Sequence, residues 1–159
     1  MKLVLDSVPL IYLAKIRFFE LTNRLDVQLY TSEEVKAEVL DGKSEETSYL
    51  QEQFKTEAIK TRKGKTLQGK GLHAGEATAL GLAKELGATF VSDDRLALAY
   101  AKTQEIDAMH TSFFLLRAIS KKALSKKDAV AALDKMVFLG WRCDTETYAR
   151  IRRKIEEHE

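Results

Sequence analysis

Short apolar runs that end in an acidic residue constrain the fold of this chain most strongly. Lys2–Leu5 is followed by Asp6, and Ala88–Ser92 is followed by Asp93 and Asp94. Each run is partly β-branched, and a helical pattern starts directly after it, which predicts a buried strand followed by a helix. Strands that alternate with helices predict an α/β fold with a central parallel sheet flanked by helices.

Cap and turn residues divide the rest of the chain into further elements. Val27–Tyr30 predicts a second strand, and Ser32 predicts the start of a helix to about Leu40. Ser7 is the expected N-cap of the first helix, and Lys60–Gly71 is expected to be an exposed basic loop. Further helices are expected at about 8–14, 44–58, 73–86, 95–102, 111–120, 125–139 and 144–157.

Composition describes one water-soluble domain. The 159 residues are 45% hydrophobic and 31% charged, and no apolar run approaches the roughly 18 residues of a membrane span. No linker rich in Gly, Pro or Ser divides the chain, so a single domain over 1–159 is expected, with a helical part from about 111. The first strand starts at Lys2, and Cys143 is the only cysteine, which together predict a cytoplasmic protein without a signal peptide or disulfide.

Acidic residues that follow parallel strands are expected to meet in one crevice, because chemistry sits at the carboxyl ends of such strands. Asp6 and Asp94 are the first candidates, and Asp93 is an alternative to Asp94. Each could instead cap the helix that follows it. Crowded carboxylates repel each other, and a divalent cation such as Mg²⁺ or Mn²⁺ is the simplest way to keep them ionised.

Two glutamates on predicted helices could complete the crevice. Glu76 precedes an apolar stripe formed by Ala79, Leu80 and Ala83, an unusual position for a carboxylate without a function. Its alternative role is to complement the helix dipole from the first turn. Glu38 lies in a polar row with other acids, so an ordinary solvated helix face would also explain it.

Other catalytic and binding motifs are missing from the chain. There is no G-x-G-x-x-G, no complete phosphate-binding P-loop and no G-x-S-x-G elbow. The net charge of only +2 excludes a globally basic nucleic-acid binder, although positive charge is locally concentrated. The candidate phosphate contacts are the basic residues Lys60, Arg62, Lys63, Lys65, Lys70 and Arg95, and an ordinary solvated surface would also explain their charge.

Four segments together resemble the PIN-domain nucleases, and in particular their prokaryotic branch related to VapC toxins. They are Leu3–Ser7, Thr31–Val39, Leu72–Ala77 and Val91–Arg95, in the order and spacing of that family. The stretch Leu139–Arg142 before a final helix is also similar to that branch. The resemblance covers essentially the whole chain and implies a three-layer fold around a parallel sheet.

The resemblance implies a ribonuclease that depends on Mg²⁺ or Mn²⁺. The implied catalytic and metal-binding residues are Asp6, Glu38, Glu76 and Asp94, with Asp93 as an alternative ligand and Ser7 and Ser92 as supporting hydroxyls. The implied partners are single-stranded or loop RNA, an antitoxin protein and a second copy of the chain. Two alternatives remain at this stage: a non-catalytic RNA-binding or scaffold module on the same fold, and a small-molecule phosphohydrolase that uses the same site.

Overall fold

A central sheet of five parallel strands organises the protein in a computed structural model that describes residues 1–159. The strands are β1 (Lys2–Leu5), β2 (Gln28–Ser32), β3 (Ile59–Arg62), β4 (Thr89–Val91) and β5 (Ala108–Met109). Their order across the sheet is β3-β2-β1-β4-β5, and every neighbouring pair is parallel. The α/β fold with a central parallel sheet flanked by helices is thus confirmed.

Eight α-helices connect and cover the strands. They are α1 (Ser7–Lys15), α2 (Glu33–Val39), α3 (Glu45–Lys55), α4 (Ala74–Leu86), α5 (Arg95–Thr103), α6 (Phe113–Ser120), α7 (Lys126–Phe138) and α8 (Thr145–Glu156). A 3₁₀ helix at Phe18–Arg24 links α1 to β2. A lipid bilayer could not be crossed by any of these helices, which are too short or too polar for a membrane span.

The core is one continuous cluster of 37 buried apolar residues, from Leu3 in β1 to Ile155 in α8. Helix α4 packs against β1, β2 and β4, and the C-terminal helices α6, α7 and α8 pack on one another. The large fully buried side chains include Phe90 in β4 and Phe114 in α6. The C-terminal helices therefore share their apolar core with the sheet.

The direction of the chain reverses beside β1, which creates a crevice at the carboxyl ends of the strands. From β1 the chain builds β2 and β3 toward one edge, then returns to add β4 and β5 on the other side. Strands β1 and β4 are neighbours, with Leu5 opposite Val91 in the register. A topological switch point of this kind is where open α/β sheets bind their ligands.

Two local predictions were wrong. The first helix is capped by Asp6 and not by Ser7, which is its first helical residue. The segment Lys60–Gly71 is not a loop throughout, because Ile59–Arg62 forms the edge strand β3, paired with β2. Residues 63–72, which follow it, are called the basic strap here.

The basic strap lies against helix α4. The N–H of Leu67 donates to the carbonyl of Ala77 at 3.2 Å, and the Tyr100 hydroxyl donates to the carbonyl of Gln68 at 2.6 Å. A Cβ added to Gly81 would lie 1.7 Å from the carbonyl oxygen of Lys65, so only glycine allows this approach of strap and helix. The strap is therefore held by backbone contacts along its length.

We expect Gly81→Ala to lower the free energy of unfolding by about 1–3 kcal/mol, because the strap must shift away from the new methyl group. The higher helix propensity of alanine offsets part of this loss. Urea unfolding measures the change, and Glu85→Ala on the exposed face of α4 is the matched control, with a change within about 0.5 kcal/mol. A Gly81→Ala protein as stable as the control would contradict the close contact.

Candidate functional site

Asp6 and Asp94 follow the neighbouring strands β1 and β4 at the switch point. The backbone N–H of Asp6 donates to the carbonyl of Val91 at 3.0 Å, which fixes Asp6 at the end of β4. The Ser92 hydroxyl donates to Asp6 Oδ2 at 2.9 Å and accepts from the N–H of Asp94 at 3.1 Å. Ser92 is fully buried and thus connects the two strand ends.

The Asp6 carboxylate is buried, and neighbouring acidic side chains affect its pKa. The residue is 5% exposed, and its carboxylate oxygens accept hydrogen bonds from the N–H of Ser7 and from the Ser92 hydroxyl. Burial raises the pKa of Asp6 from 3.8 to about 6, the two hydrogen bonds oppose this rise, and the charges of Glu76 and Glu38 add to it. Three acidic side chains therefore influence one another in this crevice.

A hydrogen bond from Ser7, which lies on another helix, holds Glu38 at the crevice. The Ser7 hydroxyl donates to Glu38 Oε2 at 2.8 Å and so links α2 to the start of α1. A Cβ added to Gly75 would lie 2.8 Å from the same oxygen, so this glycine allows α4 to approach α2. The exposed residue Glu38 therefore faces the acidic crevice and not only solvent.

Glu76 and Asp94 cap helices in the structure. Glu76 Oε2 accepts from the N–H of His73 at 2.9 Å, in the capping box of α4. Asp94 Oδ1 accepts from the N–H of Ala97 at 2.8 Å, in the first turn of α5. These are the structural roles that the sequence left open for both residues.

Positive side chains do not compensate the acids of the crevice. No Lys or Arg forms an ion pair with Asp6, Glu38, Glu76 or Asp94. One turn before Glu38, an oxygen of Glu34 is buried without a hydrogen-bond partner. A set of hard oxygen donors with uncompensated charge fits a divalent cation in its chemistry.

The donors do not form a closed ligand cluster. No group of three or more His, Cys, Asp or Glu side chains is close enough to hold a metal ion in the side-chain positions of the structure. The capping bonds of Glu76 and Asp94 direct each carboxylate toward a helix N-terminus. The metal-ligand role of the four acids therefore stays a prediction.

Asp93 has a separate set of partners on the other side of β4. Its oxygens accept from the N–H of Thr111 at 2.9 Å, from the Thr111 hydroxyl at 2.6 Å and from Trp141 Nε1 at 2.8 Å, and His110 Nδ1 lies 3.6 Å away. Burial opposes ionisation, but the nearby His110 ring and the hydrogen bonds from Thr111 and Trp141 outweigh it, so the pKa of Asp93 lies below its usual value. Asp93 connects β4 to the C-terminal region, and both of its carboxylate oxygens accept hydrogen bonds from residues of that region.

Some residues that support the crevice carry little signal in the sequence. Thr111 and Trp141 hold Asp93 from 18 and 48 residues away, and neither position follows a local pattern that would predict this contact. Gly75 matters only because α2 passes beside it. The one hint in the sequence is the segment His73-Ala74-Gly75-Glu76, because a glycine at the start of a helix can mark a place where another helix packs closely against it.

The predicted phosphate contacts lie in two parts of the fold, and Lys60 among them is at the amino ends of the strands, away from the crevice. Lys60 and Arg62 belong to β3, and Lys63, Lys65 and Lys70 belong to the basic strap; none of the five forms an ion pair. Arg95 begins α5 next to Asp94, and its side chain is 95% exposed. Five of the six residues are exposed, whereas Lys60 is half-buried with its ammonium group over the Tyr30 ring.

Comparison with known proteins agrees with this architecture. A sequence model of a family described as a PIN domain matches residues 2–157. No match to a curated protein sequence was found. The chain belongs to the PIN-domain family.

Proposed function

We propose that this protein is a metal-dependent endoribonuclease. PIN domains are in general nucleases, and this chain has their fold. The observation that carries the proposal is the buried carboxylate of Asp6 at the switch point, influenced by Glu38 and Glu76 and paired with no basic side chain. Perturbed ionisable groups in a crevice are typical of active sites.

Asp6, Glu76 and Asp94 are the proposed ligands of Mg²⁺ or Mn²⁺, with Glu38 direct or through water. When bound, a divalent cation supplies positive charge at the reacting phosphate and activates a water for its hydrolysis. Ser92 holds Asp6 in position and Ser7 holds Glu38 through the hydrogen bonds described above. The burial of Asp6 limits water access to the carboxylate and strengthens its electrostatic interactions.

Single-stranded or loop RNA is the proposed substrate. The acids of the crevice repel a polyanion, so phosphate binding depends on the basic residues around it. The strap lysines and Arg95 are unpaired or highly exposed and can contact phosphates on either side of a bound strand. A flexible single strand can fit its phosphates into a narrow crevice, which a rigid duplex cannot do.

The proposed biological setting is the toxin half of a toxin–antitoxin pair of the VapC type, acting in the cytoplasm. A homodimer and an antitoxin are the proposed protein partners. Exposed apolar side chains on α7 support such an interface: Phe138 is 88% exposed and Val137 is 36% exposed.

Asp94→Asn separates the proposed ligand role of this residue from its capping role, because asparagine caps helices as well as aspartate does. We expect the variant to fold normally and to cleave a labelled single-stranded RNA in Mn²⁺ about 10–100 times more slowly than the wild type. EDTA should stop cleavage by both proteins.

Asp107→Asn is the matched control, because Asp107 is exposed at the amino end of β5, at the opposite edge of the sheet. Its cleavage rate should equal that of the wild type. Equal rates for Asp94→Asn and the control would remove Asp94 from the proposed ligand set.

A non-catalytic RNA-binding module is the second candidate function. The observation that favours it is that Glu76 and Asp94 are engaged in helix caps and no metal-binding group is formed. This candidate predicts RNA binding that is the same in EDTA and in Mn²⁺, with no cleavage. Metal-dependent cleavage by the wild type would exclude it.

A further inference from the structure

A cavity of about 590 Å³ lies beside the crevice, on the far side of β4 from Asp6. It opens between the start of α5, the residues after β5, the segment before α8, and α8 itself. Asp93 lies in its wall, so the cavity and the acidic crevice are separated only by the Asp93–Asp94 corner. We call it the basic cavity because of the four side chains that surround it: Arg95, Arg142, Arg150 and Lys154.

The basic cavity carries a net positive charge. Its four cations face two carboxylates, Asp93 and Asp144, whose hydrogen bonds to Thr111, Trp141 and the first turn of α8 leave their negative charges in place. No ion pair involves Arg142, Arg150 or Lys154, and Arg95 reaches Asp144 only at 4.0 Å. Several free cations that surround one concave surface predict an anionic ligand.

The base of the cavity is apolar, which narrows the class of ligand. Trp141 is 5% exposed and Ile151 is 7% exposed, and Leu98 adds to the same wall. A cavity of this volume is in the range of small-molecule sites. A ligand with both an anionic group and a flat ring that can stack on apolar side chains fits a basic rim over an apolar base, and a nucleotide has both.

We propose that the basic cavity binds a nucleotide unit of the RNA strand next to the position of cleavage. The inference rests on the proposed ribonuclease function. Arg95 follows Asp94 directly, so a strand that leaves the crevice past this corner meets the rim of the cavity with its next phosphate. Arg150 and Lys154 lie one turn apart on α8 and share a face, so both can contact the same phosphate or adjacent phosphates.

Cys143 allows a direct test, because it is the only cysteine and lies in the wall of the cavity. Its rate of alkylation is measured in EDTA, where no cleavage occurs, with and without a saturating short oligouridylate. The expected result is that the RNA slows alkylation at least about fivefold. Because burial raises the pKa of this thiol, the reaction is run near pH 8.5, about the ordinary pKa of cysteine.

The double variant Arg150→Gln/Lys154→Gln removes two of the proposed phosphate contacts. RNA affinity, measured by fluorescence anisotropy at about 0.1 M salt, should fall about tenfold, and alkylation of Cys143 should no longer be slowed at the same RNA concentration. The matched control is Lys127→Gln/Arg153→Gln, which removes the same charge from exposed positions outside the cavity. We expect its affinity to stay within about twofold of the wild type.

Two results would overturn the inference. One is bound RNA that leaves the alkylation rate of Cys143 unchanged; the other is equal RNA affinity for the two double variants. An acidic peptide that slows alkylation where RNA does not would assign the cavity to a protein partner instead. Because every readout is binding in EDTA, the inference can fail while metal-dependent cleavage is intact, and RNA protection of Cys143 in a protein that never cleaves would instead refute the ribonuclease function on which the inference rests.

Discussion

Asp6→Asn should lose cleavage by at least about a thousandfold while it makes the protein more stable. The loss is expected because the substitution removes the most buried charge of the proposed metal site. The gain is expected because a buried carboxylate with little compensation destabilises the native state near neutral pH. A residue whose removal stabilises the fold but abolishes activity is retained for function.

The sign of the stability change follows from the pKa of Asp6, which rises from 3.8 to about 6 on folding because of burial and the charges of Glu76 and Glu38. The native state therefore holds a proton that the unfolded chain releases above about pH 4. As pH rises from about 4 to beyond 6, ionisation of Asp6 lowers the free energy of unfolding by up to about 3 kcal/mol. The asparagine side chain of the variant does not ionise. The variant should therefore have no greater free energy of unfolding than the wild type below about pH 4, and its full gain in stability above about pH 6.

Urea unfolding in EDTA at several pH values measures this difference. The substituted asparagine can still accept a hydrogen bond from Ser7, and the Ser92 hydroxyl can act as donor or acceptor toward its amide. Added Mn²⁺ should stabilise the wild type and leave Asp6→Asn unchanged. A variant less stable than the wild type at pH 7, or one stabilised equally by Mn²⁺, would contradict the proposed role of this carboxylate.

Asp93→Ala should lower the free energy of unfolding by about 3–5 kcal/mol. The alanine leaves the Trp141 indole N–H and the N–H and hydroxyl of Thr111 without their acceptor, and Thr111 is fully buried. Loss of the hydrogen bond from Trp141 should weaken the contact between the end of β4 and the segment before α8. Thermal unfolding measures it, and Asp107→Ala is the control because that side chain is exposed.

Asp93→Asn tests whether Asp93 stabilises the fold through its hydrogen bonds or binds the metal ion. Asparagine offers one acceptor oxygen where aspartate offers two, so the variant should be destabilised by about 1–3 kcal/mol. At a temperature where it is folded, its RNA cleavage in Mn²⁺ should stay within about twofold of the wild type, a smaller loss than the roughly 10–100-fold expected of Asp94→Asn. A loss of about tenfold or more would make Asp93 a ligand as well.

Strands in the centre of the sheet were predictable from the sequence, and the edge strands were not. Lys2–Leu5 and Thr89–Val91 are apolar and lie in the middle, so burial imposes a recognisable pattern on them. Edge strand β3 reads Ile-Lys-Thr-Arg, and β5 has only two residues. Short or charged edge strands avoid pairing with other molecules, and for the same reason they lack the apolar pattern that predicts a strand.

The positions of Asp6 and Asp94 at one switch point could be predicted because the rule for parallel sheets needs only the order of strands and helices. The partners of Asp93 could not, because Thr111 and Trp141 reach it through tertiary packing of distant segments. The close approaches at Gly75 and Gly81 also depend on which element passes beside them. Sequence therefore predicted which acids follow neighbouring strands, and packing determines how each is held.

The most direct test of the central claim compares wild type and Asp6→Asn for cleavage of a labelled single-stranded RNA, in Mn²⁺ and in EDTA. Circular dichroism first establishes that both proteins are folded. We predict cleavage by the wild type in Mn²⁺, none in EDTA, and a rate at least about a thousandfold lower for Asp6→Asn. Equal cleavage by the two proteins, or wild-type cleavage that persists in EDTA, would contradict a metal-dependent nuclease centre at Asp6.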